Sequence, residues 1–168
     1  ITIFFTLIPR KIGLKLGRFL GFLIYHFNPV RKKIAEKNIL LSFSNLTDSK
    51  REKMIKDCYK HFGMVLVDFL RMPSLTKKNI KTIFSFDDDT IELLNSCNGG
   101  IIMTGHLGSW EMFIPGFGLN DFPMETVIKK QSNWSTNTFY IKMRSFPNIG
   151  LIWQKNGLKR LYQAISDK

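Results

Sequence analysis

The sequence predicts an α/β protein: a helical amino-terminal region, then a mainly parallel sheet flanked by helices. Three observations carry this. Up to about residue 72 the apolar residues recur only at helical spacing. After Pro73 short apolar runs alternate with helical stretches, the pattern of strand, helix and parallel strand. The 168 residues, 44% hydrophobic and 23% charged, are enough for an ordinary core.

Residues 1–27 open on Ile-Thr-Ile-Phe-Phe-Thr-Leu-Ile, break at Pro9-Arg10-Lys11, and continue to Phe27. The longest uncharged run, Phe19 to Val30, has twelve residues. A spanning helix needs about 20. Lys11, Lys15 and Arg18 make one helical stripe, with Leu16, Phe19, Leu20, Leu23, Ile24 and Phe27 grouped away from it. That arrangement suits a helix lying in a membrane interface. A core helix with a solvated basic stripe is the alternative. Asn28-Pro29 marks a turn, and a second short helix follows whose Arg31-Lys32-Lys33 cluster adds attraction to an anionic surface. Residues 1–46 are therefore expected to form a membrane-interface segment, and residues 47–168 an α/β domain led by a long helix.

Ser49 and Glu52 match a capping box opening that long helix, which should run to about Met72. Ile55, Cys58, Phe62, Val65, Leu66 and Phe69 are its expected core face, and His61 and Asp68 are read as structural. Beyond Pro73 come an expected strand at 81–86, a helix at 89–97 and a strand at 100–104. A helix from Ser109 to about Leu119 and a strand near 125–129 follow. The chain closes with a helix near 136–146, a strand at 150–153 and a helix from Gly157.

The net charge of +12 is unevenly spread. Residues 1–46 hold eight basic residues against one acidic, 47–81 nine against four, 82–125 none against seven, and 126–168 eight against one. Such a surplus favours an anionic partner. A basic nucleic-acid module would interleave exposed aromatics with Lys and Arg, but the 22 aromatics fall mostly at apolar-face positions, so no nucleic acid is expected. Cys58 and Cys97 suggest neither a disulfide framework nor a zinc site, which fits a reducing, cytoplasm-facing setting. No metal and no cofactor is expected, since His26 and His61 lie far from His106 in predicted helices.

Residues 99–113, Gly-Gly-Ile-Ile-Met-Thr-Gly-His-Leu-Gly-Ser-Trp-Glu-Met-Phe, are the expected active site. On one continuous helix, a five-residue offset would turn His106 and Glu111 about 140° apart. A turn allowed by Gly105 and Gly108 removes that obstacle, so Glu111 can hydrogen-bond one imidazole nitrogen and leave the other as a base. Ser109 lacks a Gly-x-Ser-x-Gly setting and reads as a helix cap rather than a nucleophile. Trp110, Phe113 and Phe117 are read as core, with the lining of an apolar pocket as the alternative.

Residues 104–111, Thr-Gly-His-Leu-Gly-Ser-Trp-Glu, resemble the His-x4-Asp/Glu motif of glycerolipid acyltransferases, and in detail that of the Kdo-lipid IVA lauroyl and myristoyl acyltransferases. Arg31-Lys-Lys-Ile-Ala-Glu-Lys-Asn-Ile-Leu-Leu-Ser-Phe43, Lys60-His-Phe-Gly63 and the Asn137 to Arg144 spacing resemble further segments of that family. The resemblance implies an O-acyltransferase at the cytoplasmic face of a bacterial inner membrane. It would move a fatty acyl group from an acyl carrier protein thioester to a hydroxyl of an anionic, phosphorylated lipid A precursor. His106 carries over as general base and Glu111 as its orienting carboxylate, with Arg144, Asn137, Gly108 and Lys130 as expected substrate contacts. Relatives acting on another glycolipid or a lysophospholipid stay open, as does a non-catalytic basic module for membranes or nucleic acid. Chains of that kind are longer, so the sheet is expected to be truncated at its carboxyl end.

Overall fold

The structure, a computed structural model, describes residues 2–155 and 157–166. It divides into two compact units, Ile1–Arg71 and Met72–Lys168.

The first unit is all helical: α1 (Thr2–Leu7), α2 (Arg10–Phe27), α3 (Lys32–Ser42) and α4 (Asp48–Arg71). The long helix expected to lead the second domain thus belongs with the helices before it, because its main packing partner is α2. Gly13, Gly17 and Gly21, four residues apart on one stripe of α2, are buried together with Tyr25. A Cβ on Gly17 or Gly21 would run into the backbone carbonyls of Gly63 or Tyr59 on α4, and one on Gly63 into the carbonyl of Gly17. The two backbones therefore meet directly.

Side chains fasten this contact at both ends. Arg10 forks onto Asp68, Nε to Oδ1 at 2.8 Å and Nη2 to Oδ2 at 2.7 Å. The Arg71 guanidinium donates to the carbonyls of Phe5 and Ile8, the latter at 2.6 Å, tying down the end of α1. At the other end Tyr25, Ile39 and Ile55 form a buried cluster backed by Ala35, Leu46, Met54 and Tyr59. Glu52 there accepts from the Tyr25 hydroxyl and from Lys32 Nζ. That employment replaces its expected part in a capping box. Thr47 is the residue that caps α4, its hydroxyl receiving the Lys50 N–H and its carbonyl the Arg51 N–H.

Because the glycines take the buried stripe, the larger apolar residues are left outside. Phe19, Leu20, Ile24 and Phe27 on α2 are exposed, Phe27 at 82%. On α4, Ile55, Val65 and Phe69 are buried as expected, but Cys58, Phe62 and Leu66 are exposed. Periodicity alone had placed those three in the core. Among the described residues, no helix is long and apolar enough to cross a membrane.

The second unit contains α5 (Asp88–Ser96), α6 (Phe113–Leu119), β1 (Met124–Ile128), α7 (Trp134–Arg144), β2 (Ile149–Trp153) and α8 (Leu158–Ser166). Helix α5 opens where Asp87 accepts the Thr90 N–H at 2.7 Å, and α7 where Asn133 accepts the Thr136 N–H at 3.0 Å. β1 and β2 pair in parallel, Met124 opposite Ile149 through Ile128 opposite Trp153, with α7 as the crossover.

Two expected strands do not form, so the sheet has two strands among the described residues rather than the broader one anticipated. Residues 80–82 make a 3-10 turn built around Asn79, whose side chain accepts the Thr76 N–H and donates to the Ser74 carbonyl. Phe84 and Phe86 then leave any ladder and enter an edge-to-face cluster with Phe113, Phe117 and Phe122. Residues 101–105 are irregular, since among the described residues no neighbouring strand offers them hydrogen bonds. Met103 there is 94% exposed.

The helix contact predicts that Gly17→Ala overpacks α2 against α4 and lowers the stability of the first unit by about 1–3 kcal/mol, measured as a fall in urea midpoint. The Glu52 carboxyl is held below its ordinary value of 4.5, first by the hydrogen bond from Lys32 and next by that from Tyr25. A depressed carboxyl stabilises the fold above its unfolded value and loses that contribution as pH falls through the folded one. Glu52→Gln is therefore expected to flatten the decline of the urea midpoint between pH 5 and pH 3.

Candidate active site

The site residues identified in the sequence all fall in the second unit. Gly108 supplies the turn, at φ +57°, a conformation that favours glycine. Gly105, expected to share this duty, does not have a positive φ. After the turn Ser109 leads into a 3-10 turn at Trp110–Met112, which continues directly into α6. The helix thus begins where the sequence placed it, with a tighter first turn.

His106 is exposed on the loop before this turn. Its ring lies against the indole of Trp110, centroids 4.7 Å apart and planes tilted by 49°. Trp110 is therefore a shelf for the imidazole, a role not foreseen from its position on the helix. Phe113 and Phe117 stack at 6.2 Å and belong to the aromatic core.

Glu111 is buried, at 9% exposure. Its carboxylate is gripped by Arg144: Nε donates to Oε2 at 2.9 Å and Nη2 to Oε1 at 2.5 Å. The two side chains are 11% and 17% exposed. The structure thus pairs Glu111 with Arg144 and gives it no hydrogen bond to His106. The guanidinium also sits over the Tyr140 ring, 5.2 Å from its centroid, one turn back along α7. A buried carboxylate requires a counter-charge, and this is the one that meets it. Arg144 was expected as a substrate contact. The structure places its guanidinium on Glu111.

Asn137 lies two turns before Arg144 on the same face of α7. Its Oδ1 accepts the Gln131 N–H at 2.9 Å, which ties down the loop leaving β1. Lys130, on that loop, is exposed at the carboxyl end of the strand. Ligands of open α/β sheets bind at such strand ends. The Ser109 hydroxyl makes no capping bond and is the one buried side-chain polar atom among the described residues without a partner. No group of three metal-ligating side chains is assembled among those residues.

Along its whole length, residues 1–168, the sequence matches the family described as bacterial lipid A biosynthesis acyltransferase. The chain belongs to that family. No curated protein and no solved structure matches it.

For this acyltransferase, Glu111→Ala strands the Arg144 charge in a mostly buried position. It is expected to destabilise the second unit by roughly 3 kcal/mol, the lower end for breaking a buried pair. The double change Glu111→Leu with Arg144→Met should recover most of that loss, as read from thermal melts of all three proteins.

Proposed function

We propose that this chain transfers a fatty acyl group from an acyl carrier protein thioester to a hydroxyl of a phosphorylated lipid A precursor, at the cytoplasmic face of a bacterial inner membrane. The observation that carries the reading is His106, an exposed imidazole on a glycine turn five residues before a buried carboxylate, in a chain matching a lipid A acyltransferase family throughout.

In this reading one imidazole nitrogen of His106 takes the proton of the acceptor hydroxyl as its oxygen attacks the thioester carbonyl. The tetrahedral intermediate collapses to the ester and expels the carrier thiolate. The imidazolium returns the proton to that sulfur, so ester and thiol are the products and the base is regenerated. The orienting role assigned to Glu111 requires the His106 loop to swing from the Trp110 indole, about the Gly108 turn, until the other imidazole nitrogen meets the carboxylate. Lys130, with the other basic residues of 126–168, favours the phosphates of the acceptor or the acidic surface of the carrier. The exposed Phe19, Leu20, Ile24 and Phe27 of α2, together with Arg31, Lys32 and Lys33, suit a helix held against an anionic bilayer.

The test supplies labelled acyl carrier protein thioester and phosphorylated acceptor in mixed micelles. Acyl-coenzyme A with lysophospholipid serves as the competing pair. His106→Ala is expected to lose about 100- to 10,000-fold in kcat with its melting temperature unchanged. Full transfer by that variant, or a preference for the lysophospholipid pair, would sink the assignment.

A further inference from the structure

We propose that Arg144 is a positioning residue, which sets the Glu111 carboxylate and through it the His106 base, rather than a contact for the acceptor's phosphate. This rests on the reading of His106 as general base.

The fork geometry carries it. Nε and Nη2 of Arg144 reach one oxygen each of Glu111, at 2.9 and 2.5 Å, so both the position and the plane of the carboxylate are fixed. A monodentate contact would leave the carboxylate free to rotate. Each carboxylate oxygen has two acceptor sites and Arg144 occupies one on each, so Glu111, which holds no bond to His106 in this structure, keeps capacity to accept an imidazole N–H when the His106 loop closes on it. A phosphate drawn to Arg144 would have to compete with this pair inside a mostly buried setting.

The surroundings of Arg144 favour the same role. Its guanidinium is braced by the Tyr140 ring beneath it, and it stands in the last turn of α7, where the helix dipole favours a cation. Two turns earlier on that face, Asn137 holds the β1–α7 loop through the Gln131 N–H. One rigid helix thus fastens the carboxylate of the motif on one side and the strand-end loop on the other. A site whose geometry must hold within a fraction of an ångström is better set from a helix than from a loop.

The experiment measures kcat and acceptor KM for wild type, Arg144→Lys, Arg144→Gln, Glu111→Gln, the double variant Glu111→Gln with Arg144→Gln, and His106→Ala. Circular dichroism and melting curves establish that each is folded. Arg144→Gln is expected to lower kcat about 10- to 100-fold, the scale of a small misplacement of a catalytic group. Acceptor KM should change less than about 3-fold. Arg144→Lys keeps the charge without the planar fork and should fall between, which also serves if Arg144→Gln does not fold. The double variant should be no slower than Glu111→Gln alone, since both changes remove one arrangement.

A raised KM with unchanged kcat, an effect that multiplies with that of Glu111→Gln, or wild-type kcat in Arg144→Lys would overturn the positioning role. These results are distinguishable from failure of the catalytic reading, which would appear as full activity in His106→Ala.

Discussion

The carboxylate of Glu111 is the point on which the candidate site turns, because it is buried at the start of a helix and has one strong cationic partner. Burial without that partner would carry a severe desolvation cost, so the 3-10 turn at Trp110–Met112 and the end of α7 are obliged to meet. That meeting brings together segments thirty-three residues apart. It also relates the loop bearing His106 to the crossover helix between the two parallel strands. The glycine turn and the indole shelf precede the carboxylate on its own segment, and Asn137, which holds the strand-end loop, shares a helix with Arg144.

The first unit is organised by a different constraint, backbone contact between α2 and α4. Glycines at four-residue spacing let the helices approach until carbonyls stand where Cβ atoms would otherwise be. Arg10 with Asp68 and Glu52 with Tyr25 and Lys32 fix the register at either end. The apolar side chains displaced by the glycines, among them Phe19, Leu20, Ile24 and Phe27, stay exposed on the outer face of α2.

Much of this was legible in the sequence because helix signals are local. The break at Pro9, the long α4, the acidic start of α5 and both strands flanking α7 fall within one or two residues of where spacing and caps put them. What was not legible depended on partners. Phe84 and Phe86 alternate as a strand would, but edge-to-face packing satisfied them instead of a ladder. Ile101, Ile102 and Met103 are apolar enough for a buried strand, yet a strand also needs neighbours to hydrogen-bond, and none stands beside them among the described residues. On α2 the hydrophobic stripe was visible, but hydrophobicity could not say that glycines would take the buried side. At the site, the spacing of His106 and Glu111 pointed to a turn, and Gly108 provides it. The destination of the Glu111 carboxylate could not be read from spacing, because Arg144 is distant in sequence and becomes a neighbour only through the β1–α7–β2 crossover.

The glycine contact between α2 and α4 also separates two kinds of information in the same eighteen residues. Where the helix packs most closely is written at Gly17 and Gly21, positions that have no side chain and where any Cβ would meet the backbone of α4. The outward positions contribute little to that packing and are free to drift. A lineage can therefore retune what this helix presents to its surroundings, residue by residue, without renegotiating how the helix is held.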